Sequence, residues 1–322
     1  MNNLVRCTAV AIALLLSAAG VQAQSKYPTK PIRLLTPFAA GGGSDILARL
    51  IGPHITEAFG QPVVVDNRPG GGGTLGAGIA ARADPDGYTL IVVSGSYGAN
   101  AALHDLPYDT VTGITPIILI GTTPLVLTVH PSVPVKSVKE LIAYSKANPK
   151  KLNIASAGIG GLDHLAGELF KQQSGAIYTT IPYKGSGPAM TALLSAEVSG
   201  SMTTLVTSIP HVKAGRLRAV GVTTSKRSRA LPDVPTIGET VSGFEAVHWY
   251  GLWGPKGLPV DIVTRWNREV AKTLRTSATE KWLEDQGLER AGGPPEEFVS
   301  RLRIDVAKWK KVVKEAHITI NK

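Results

Sequence analysis

Two glycine-rich segments, far apart in the chain, each lie between an apolar strand pattern and an amphipathic helix pattern. The first is in IRLLTPFAAGGGSDILARLI, residues 32–51, and the second is in LNIASAGIGGLDHLAGELF, residues 152–170. In each, the free backbone N–H groups of a helix N-terminus point beyond the end of the strand, which is a ready site for an anion. Glycine permits close approach because it has no Cβ atom. The pattern predicts that a small carboxylate or a similar anion is held between two lobes.

The first segment, which we call the first cradle (residues 38–45), offers mainly backbone donors and one aromatic ring. Phe38 could close over a ligand, and the side chains of Ser44 and Asp45 could cap the helix instead of binding a ligand. The ligand-binding residues predicted here are Phe38, Ala40, Gly41, Gly42, Gly43, Ser44 and Asp45.

The second segment, which we call the second cradle (residues 156–164), contributes Ser156, Gly158, Gly160, Gly161 and His164 to the predicted site. A histidine in a first helical turn is more often a local hydrogen-bonding partner than a ligand. His164 lies four residues before Glu168, as in a helical metal pair, but no third ligand is suggested. No metal site and no catalytic residue are therefore predicted.

Two further segments supply polar groups. The segment 94–100, predicted as a loop, places the hydroxyls of Ser94 and Tyr97 after a strand. The turn YKGSGPA, residues 183–189, places Tyr183, Lys184 and Gly185 next to a helix start. Lys184 either neutralises a bound carboxylate or is an exposed turn residue.

The N-terminal 23 residues have the features of a signal peptide. Arg6 precedes an apolar run over residues 9–19, and Val21, Gln22 and Ala23 form a small-residue cleavage pattern. Cys7, the one cysteine in the chain, lies before the apolar run and so cannot be a lipoprotein cysteine. We expect cleavage after Ala23 and export to the periplasm without disulfides.

The composition narrows the function classes. The 322-residue chain is 43% hydrophobic and carries a net charge of +10, which fits either a solvated basic surface or attraction of anions. No Walker loop, G-x-S-x-G elbow or H-E-x-x-H motif occurs. Gly71, Gly73 and Gly76 match the dinucleotide spacing only weakly, so no cofactor is predicted. Basic residues are not interleaved with aromatic ones, which argues against nucleic-acid binding.

Strand and helix patterns alternate along most of the chain. Strands are predicted at residues 32–36, 63–66 and 88–94, with helices at 45–59 and 74–83 between them. The alternation restarts after a proline-containing stretch at 130–135. This order predicts an α/β fold with mostly parallel sheets flanked by helices. The apolar segment 247–254 is interpreted as crossing back to the first lobe.

The chain resembles the Bug-type periplasmic solute-binding receptors of the tripartite tricarboxylate transporter family. The motifs that carry the resemblance, in chain order, are YPTKPIRLLTPFAAGGGSD, VVVDNRPGGGGTLGA, DPDGYTL, ASAGIGGLDH, PYKGSGPA, GRLRAVGVTT, LPDVPTIGE and WYGLWGPKGLP. The resemblance implies a two-lobed, type II-like periplasmic binding fold with two crossover segments. The implied first lobe spans residues 26–125 and 247–322, and the second spans residues 126–246.

The resemblance also implies a function. The protein would be a monomeric, non-enzymatic receptor that captures a dicarboxylate, a tricarboxylate or an aromatic acid. It would deliver this ligand to the membrane subunits of a tripartite tricarboxylate transporter. An enzyme on the same scaffold, using His164 or Asp45 as a hydrolase or deaminase would, is one alternative. A ligand sensor for a two-component system is another.

One departure from the family pattern concerns the choice of ligand. Relatives commonly carry two acidic residues where this chain has Ser199 and Thr203. If Thr203 faces the cleft, a partner for a ligand ammonium group has been lost. Thr203 is therefore included in the predicted site, and plain carboxylates are favoured over amino acids.

Overall fold

The computed structural model of the chain describes residues 27–315 and residue 318. The predicted signal peptide and its cleavage site lie outside these residues. The strands are β1 (Ile32–Thr36), β2 (Val63–Asn67), β3 (Thr89–Ser94), β4 (Ile114–Val129), β5 (Asn153–Ser156), β6 (Thr179–Pro182), β7 (Gly200–Thr204), β8 (Arg218–Val222), β9 (Val247–Pro255) and β10 (Glu289–Arg290). The helices are α1 (Gly43–Phe59), α2 (Thr74–Ala81), α3 (Ser96–Leu103), α4 (Val138–Ala147), α5 (Leu162–Ser174), α6 (Ser186–Leu194), α7 (Leu205–Lys213), α8 (Val260–Leu274), α9 (Ser277–Asp285) and α10 (Pro295–Glu315).

The sheet passes through both lobes in the order β2-β1-β3-β9-β4-β7-β5-β6. In the first lobe β1 pairs in parallel with β2 and β3. In the second lobe β5 pairs in parallel with β6 and β7. Since βα crossovers place the loops after parallel strands at one edge of a sheet, both cradles leave carboxyl ends of strands, where ligands of α/β folds bind.

Two strands connect the lobes. β4 pairs antiparallel with β9 from Ile114 to Pro124, and then with β7 and β8 from Leu125 to Val129. The chain returns in β9, whose pairing with β4 begins at Val247. The predicted two-lobed α/β fold with two crossover segments is confirmed, with the crossover strands adding antiparallel pairs to each sheet. The lobe boundaries remain a prediction.

Helix α10 packs against both lobes. Near its start, Phe298 and Leu302 are buried in one cluster with Trp249. Near its end, Trp309 is buried in the core of the second lobe beside Phe170. The apolar stripe of this helix therefore contacts both lobes and packs beside the crossover strands.

Three elements differ from the sequence predictions. Residues 96–100, predicted as part of a loop, form the start of α3, which has no side-chain cap and is buried by packing. Tertiary contacts here outweigh weak local helix signals. Neither strand β7 nor helix α7 was predicted from the sequence. The residues of β7, GSMTT, are mostly small or polar, yet all five are buried.

Candidate functional site

Loops from both lobes surround a small cavity, which we call the inner cavity. The space open to the centre of a water molecule is about 20 Å³, little more than the roughly 10–15 Å³ that one water needs. The lobes are thus closed on one another. The lining residues are Phe38, Gly42, Gly43, Ser44, Ser94, Ser96, Leu125, Ala157, Asp163, Ser186, Thr204, His248 and Tyr250.

Helix N-termini around this cavity lack side-chain caps, and three of them follow a glycine that was predicted to bind the ligand. Helices α1, α5 and α6 begin after Gly42, Gly161 and Gly185, and none of their caps makes a side-chain hydrogen bond. By contrast, Ser137 caps α4 and Thr276 caps α9. The first backbone N–H groups of an uncapped helix have no partner within the helix. They and the helix dipole favour an anion at the starts of α1 and α6. At α5, the Leu162 N–H donates to Ser96 Oγ at 3.1 Å, and the Asp163 carboxyl accepts from the Asp163 and His164 N–H groups.

Three side chains that line the inner cavity have buried polar atoms without a hydrogen-bond partner. These atoms are Ser44 Oγ, His248 Nδ1 and the Tyr250 hydroxyl. Leaving such an atom unsatisfied costs about 1–3 kcal/mol, so their convergence makes the inner cavity the candidate binding site. The Tyr250 hydroxyl lies beside Thr204 but makes no hydrogen bond of standard geometry with it.

The two crossover-strand side chains are neutral at physiological pH. Burial, assisted by the charge of Arg301, lowers the pKa of His248 to about 3. Burial also raises the pKa of Tyr250 above its ordinary value. No lysine or arginine is among the lining residues. A ligand in the inner cavity would therefore be held by hydroxyl, imidazole and backbone groups rather than by an ion pair.

Asp163 is the one carboxylate that lines the inner cavity. It is 5% exposed and accepts a hydrogen bond from the Ala157 backbone N–H. Burial raises its pKa to about 7, against the lowering effect of backbone N–H groups that include that of Ala157. Asp163 was not among the residues predicted to bind a ligand, whereas the neighbouring His164 was. The available signal was that each cradle places an aspartate in its first helical turn.

Asp45, the corresponding aspartate of the first cradle, does not line the inner cavity. Its carboxylate accepts hydrogen bonds from the Gly41 N–H at 3.0 Å, from Arg49 at 3.1 Å and from Asn67 at 3.0 Å. Burial would raise the pKa of Asp45, but these bonds outweigh burial and hold it below its ordinary value. The predicted ligand contact of Asp45 is corrected to a role in fixing the loop.

The lobes contact each other through backbone at the mouth of the inner cavity. The Ala39 N–H of the first lobe donates to the Lys184 carbonyl of the second at 2.9 Å. Nearby, a Cβ atom on Gly187 would lie 2.4 Å from the Ala40 carbonyl oxygen, and one on Gly72 would lie 2.3 Å from the Ile159 carbonyl oxygen. The lobes can approach this closely because glycine occupies both positions.

Beyond Phe38 and Ala157 lies a larger space, which we call the outer pocket. Its volume on the same measure is about 590 Å³, within the range of roughly 300–1,000 Å³ usual for small-ligand sites. Lys184 lines it with an exposed side chain, so solvent screens its charge. Its lining residues are Phe38, Gly70, Gly71, Gly72, Gly73, Leu103, His104, Asp105, Ala157, Gly158, Ile159, Pro182, Tyr183 and Lys184.

The structure places most of the predicted site residues in four groups. Phe38, Gly42, Gly43, Ser44 and Ser94 line the inner cavity, while Gly158, Tyr183 and Lys184 line the outer pocket. The structure places Ala40, Gly41 and Gly185 at the contact between the lobes. Ser156, Gly160 and Gly161 belong to the second cradle without lining either space.

Three predicted residues lie away from both spaces. The Tyr97 hydroxyl is buried and donates to the Thr110 carbonyl within the first lobe. Thr203 is wholly buried in β7, where its hydroxyl bonds to Ser208. His164 lies 3.9 Å from Glu168, and its Nδ1 accepts from the Gly160 N–H at 3.4 Å. These placements correct their predicted ligand contacts to contacts within the protein. Because Thr203 does not face the cleft, it gives no reason to favour plain carboxylates over amino acids.

A third pocket lies on the other side of the crossover strands. Its volume is about 850 Å³, and basic residues of 224–230 face acidic residues of α9 across it. Val247 lines this pocket whereas His248 lines the inner cavity, because successive strand residues point to opposite faces. None of its lining residues has an unpartnered buried polar atom, so it lacks the feature that marks the inner cavity.

We expect acid pH to destabilise the protein through His248. Its pKa is about 3 in the folded protein and about 6.5 when unfolded, so only the unfolded chain binds the proton between these values. Stability from this group is therefore full above pH 6.5 and is lost as the pH falls. At pH 5.5 the loss is about 1.4 kcal/mol. Urea unfolding at pH 7.5 and 5.5 measures this loss. Between the two pH values, His248→Gln should lose about 1.4 kcal/mol less free energy of unfolding than wild type. Equal losses in the two proteins would show that His248 is not the group responsible.

Neither a membrane span nor a metal centre is found among residues 27–315. None of the helices in that range combines the length and apolar character that crossing a bilayer requires. Within the same range, no three His, Cys, Asp or Glu side chains are grouped to hold a metal ion.

Comparison with known proteins adds sequence and fold relatives. A sequence profile described as "Tripartite tricarboxylate transporter family receptor" matches residues 47–318. The structure of the periplasmic binding protein BugD has a TM-score of 0.87 and 33% identity, covering 91% of this chain and 99% of that one. An R. palustris protein with adipate has a TM-score of 0.87 and 38% identity, covering 91% and 99%. MatC from Rhodopseudomonas palustris, with bound malate, has a TM-score of 0.83 and 31% identity, covering 89% and 100%.

Proposed function

Because the chain belongs to the tripartite tricarboxylate transporter receptor family, we propose that it captures a small organic carboxylate between its lobes in the periplasm. It then delivers the ligand to the membrane subunits of such a transporter. The resemblance to Bug receptors, now confirmed, supports the class of protein, and the complexes of its relatives with adipate and malate support the class of ligand.

The observation that carries the proposal is the convergence of unused donors on the inner cavity. The uncapped N-termini of α1 and α6 meet there, with Ser44, His248 and Tyr250 presenting unpartnered atoms. A carboxylate has about four acceptor sites and can take up several such donors. The outer pocket gives the rest of the ligand room.

The residues that the enzyme alternative would use face elsewhere. His164 lies beside Glu168, and Asp45 is bound by Gly41, Arg49 and Asn67. Neither lines the inner cavity. A sensor for a two-component system would share the capture step and differ only in its partner.

Thermal unfolding with a panel of ligands tests the proposal. Adipate, malate, citrate and benzoate would each be added to the purified protein, with the uncharged diamide of adipate as control. A true ligand at about 100 times its dissociation constant stabilises the protein by about 2.7 kcal/mol, which raises the Tm by about 5–10 °C for a protein of this size. The diamide should give no shift. A folded protein that no carboxylate stabilises would refute the proposal.

Tyr250→Phe locates the site. The variant removes a hydroxyl that has no partner in the closed protein, so the free energy of unfolding without ligand should not fall. Loss of a hydrogen bond to a charged ligand costs about 1.5–3 kcal/mol, so its affinity for the stabilising carboxylate should fall about 10- to 100-fold. Wild-type affinity in this variant, measured by calorimetry, would place the ligand elsewhere.

A further inference from the structure

The inner cavity holds a resident carboxylate and no resident cation, which constrains how an anion can enter it. Asp163 lines the cavity and is 5% exposed. It accepts from the Ala157 N–H and from the Asp163 and His164 N–H groups, so it already occupies backbone donors of the second cradle. A ligand carboxylate in this cavity would therefore lie close to a second carboxylate and would share the same set of donors.

The groups that face Asp163 from β9 and α10 do not offset its charge. His248 on β9 stays neutral because burial holds its pKa near 3. Tyr250 stays neutral as well. The cation whose charge acts on His248, Arg301 on α10, is paired with Asp305 at 2.6 Å.

The groups on α5 and α3 do not offset it either. On α5, Glu168 lies between His164 at 3.9 Å and Lys171 at 2.5 Å, so the lysine charge is already paired. On the loop after α3, His104 lies against Gly160, and burial lowers its pKa. The lining residues from the first cradle, α6 and β7 carry no titratable side chain.

Two carboxylates that share one site repel each other. The pKa of one of them is therefore strongly raised, and that group becomes protonated. A proton from solvent is the counter-charge that a closed cavity of this size can accept. We propose that ligand capture is coupled to proton uptake by Asp163, whose carboxyl group is neutral when the loaded lobes are closed. This inference rests on the proposed carboxylate-binding function. The neutral carboxyl can then donate its O–H to the ligand.

Proton uptake fixes the sign of the pH dependence. The pKa of Asp163 is higher in the closed, loaded protein than in the open one, where the carboxyl group meets water. Affinity for a fully ionised dicarboxylate is therefore greatest at the acid end of a window from pH 6 to 8.5. It falls as the pH rises, by up to about tenfold per pH unit for one coupled proton.

Isothermal titration calorimetry with adipate and malate as probes tests the coupling. The wild-type protein would be titrated from pH 6 to 8.5, in pairs of buffers with different ionisation enthalpies. We expect close to one proton taken up per ligand near pH 8. Asp163→Asn keeps an acceptor for the Ala157 N–H but cannot titrate. Its affinity should be independent of pH, with no proton uptake, and at pH 8 it should bind more tightly than wild type.

Asp45→Asn is the matched control. It removes the corresponding carboxylate of the first cradle, which lies outside the inner cavity and has a pKa below its ordinary value. This variant should keep the proton uptake of wild type, whatever its affinity.

Binding of either probe without proton uptake would overturn the coupling and leave the proposed function standing. Proton uptake that persists in Asp163→Asn would overturn the assignment to Asp163. Failure of every carboxylate to bind at any pH would overturn the proposed function itself, and the coupling with it. If Asp163→Asn does not fold, the wild-type buffer series still decides whether a proton is taken up.

Discussion

Gly187→Ala is expected to lower the affinity for the bound carboxylate by about 100-fold or more while leaving both lobes folded. A Cβ atom at this position would lie 2.4 Å from the Ala40 carbonyl oxygen of the opposite lobe. Because this contact is with a backbone atom, it cannot be relieved by rotating a side chain. The lobes must stay farther apart, and the Ala39–Lys184 hydrogen bond across the mouth, 2.9 Å long, is stretched or broken.

The size of the expected fall in affinity follows from a ligand that is held by donors from both lobes. Each hydrogen bond to a charged ligand contributes about 1.5–3 kcal/mol. Loss of two such bonds from one lobe therefore lowers the affinity by 100-fold or more, since about 1.4 kcal/mol corresponds to a tenfold change. Gly187 lies in the first turn of α6, where alanine is a better helix former than glycine. The second lobe therefore has no local reason to unfold.

Gly52→Ala is the control for a glycine-to-alanine change in a helix. Its Cβ atom would meet Val63 at 3.7 Å, an ordinary van der Waals distance within one lobe. We expect wild-type affinity and closure. Calorimetry measures affinity, and small-angle scattering with saturating ligand measures closure. A compact, tightly binding Gly187→Ala protein would show that the lobes do not need this contact to hold the ligand.

The sequence was most informative where a function depends on backbone. Both cradles, their position after β1 and β5, and the ring of Phe38 could be predicted from glycine spacing and strand–helix alternation. These features are local, because an uncapped helix start after a glycine turn is specified within about ten residues.

The residues that sequence reasoning missed come from long-range pairing. His248 and Tyr250 lie in an apolar aromatic strand, and which of its faces meets the cavity depends on its register with β4. Asp163 was not predicted, because nothing in the local sequence of the second cradle indicates that its carboxyl group lines the inner cavity. Thr203 was predicted in the site from an aligned position, but β7 directs it into the interior beside Ser208. Alternation within a strand decides such placements only once its neighbours are known.

Asp305→Ala is expected to destabilise the protein by about 3 kcal/mol. The Asp305 side chain is 1% exposed and pairs with Arg301 at 2.6 Å, and it also accepts the indole N–H of Trp249 on β9. It thus joins α10 to a crossover strand. Truncation leaves the buried indole N–H without a partner, at about 1–3 kcal/mol. Breaking a buried ion pair costs about 3–5 kcal/mol, and the partial exposure of Arg301 places this pair at the lower end.

Asp285→Ala is the matched control, since Lys281 and Asp285 form the same i,i+4 pair on α9 with side chains 77% and 51% exposed. Such a pair contributes about 0–1 kcal/mol. Asp305→Asn should fall between the two, because it keeps an acceptor for Trp249 and loses the charge that faces Arg301. Urea unfolding gives the free energies, and about 3 kcal/mol corresponds to a fall in Tm of about 6–12 °C. If Asp305→Ala were no less stable than Asp285→Ala, the lobes would be held by the apolar stripe of α10, through Phe298, Leu302 and Trp309, without help from this ion pair.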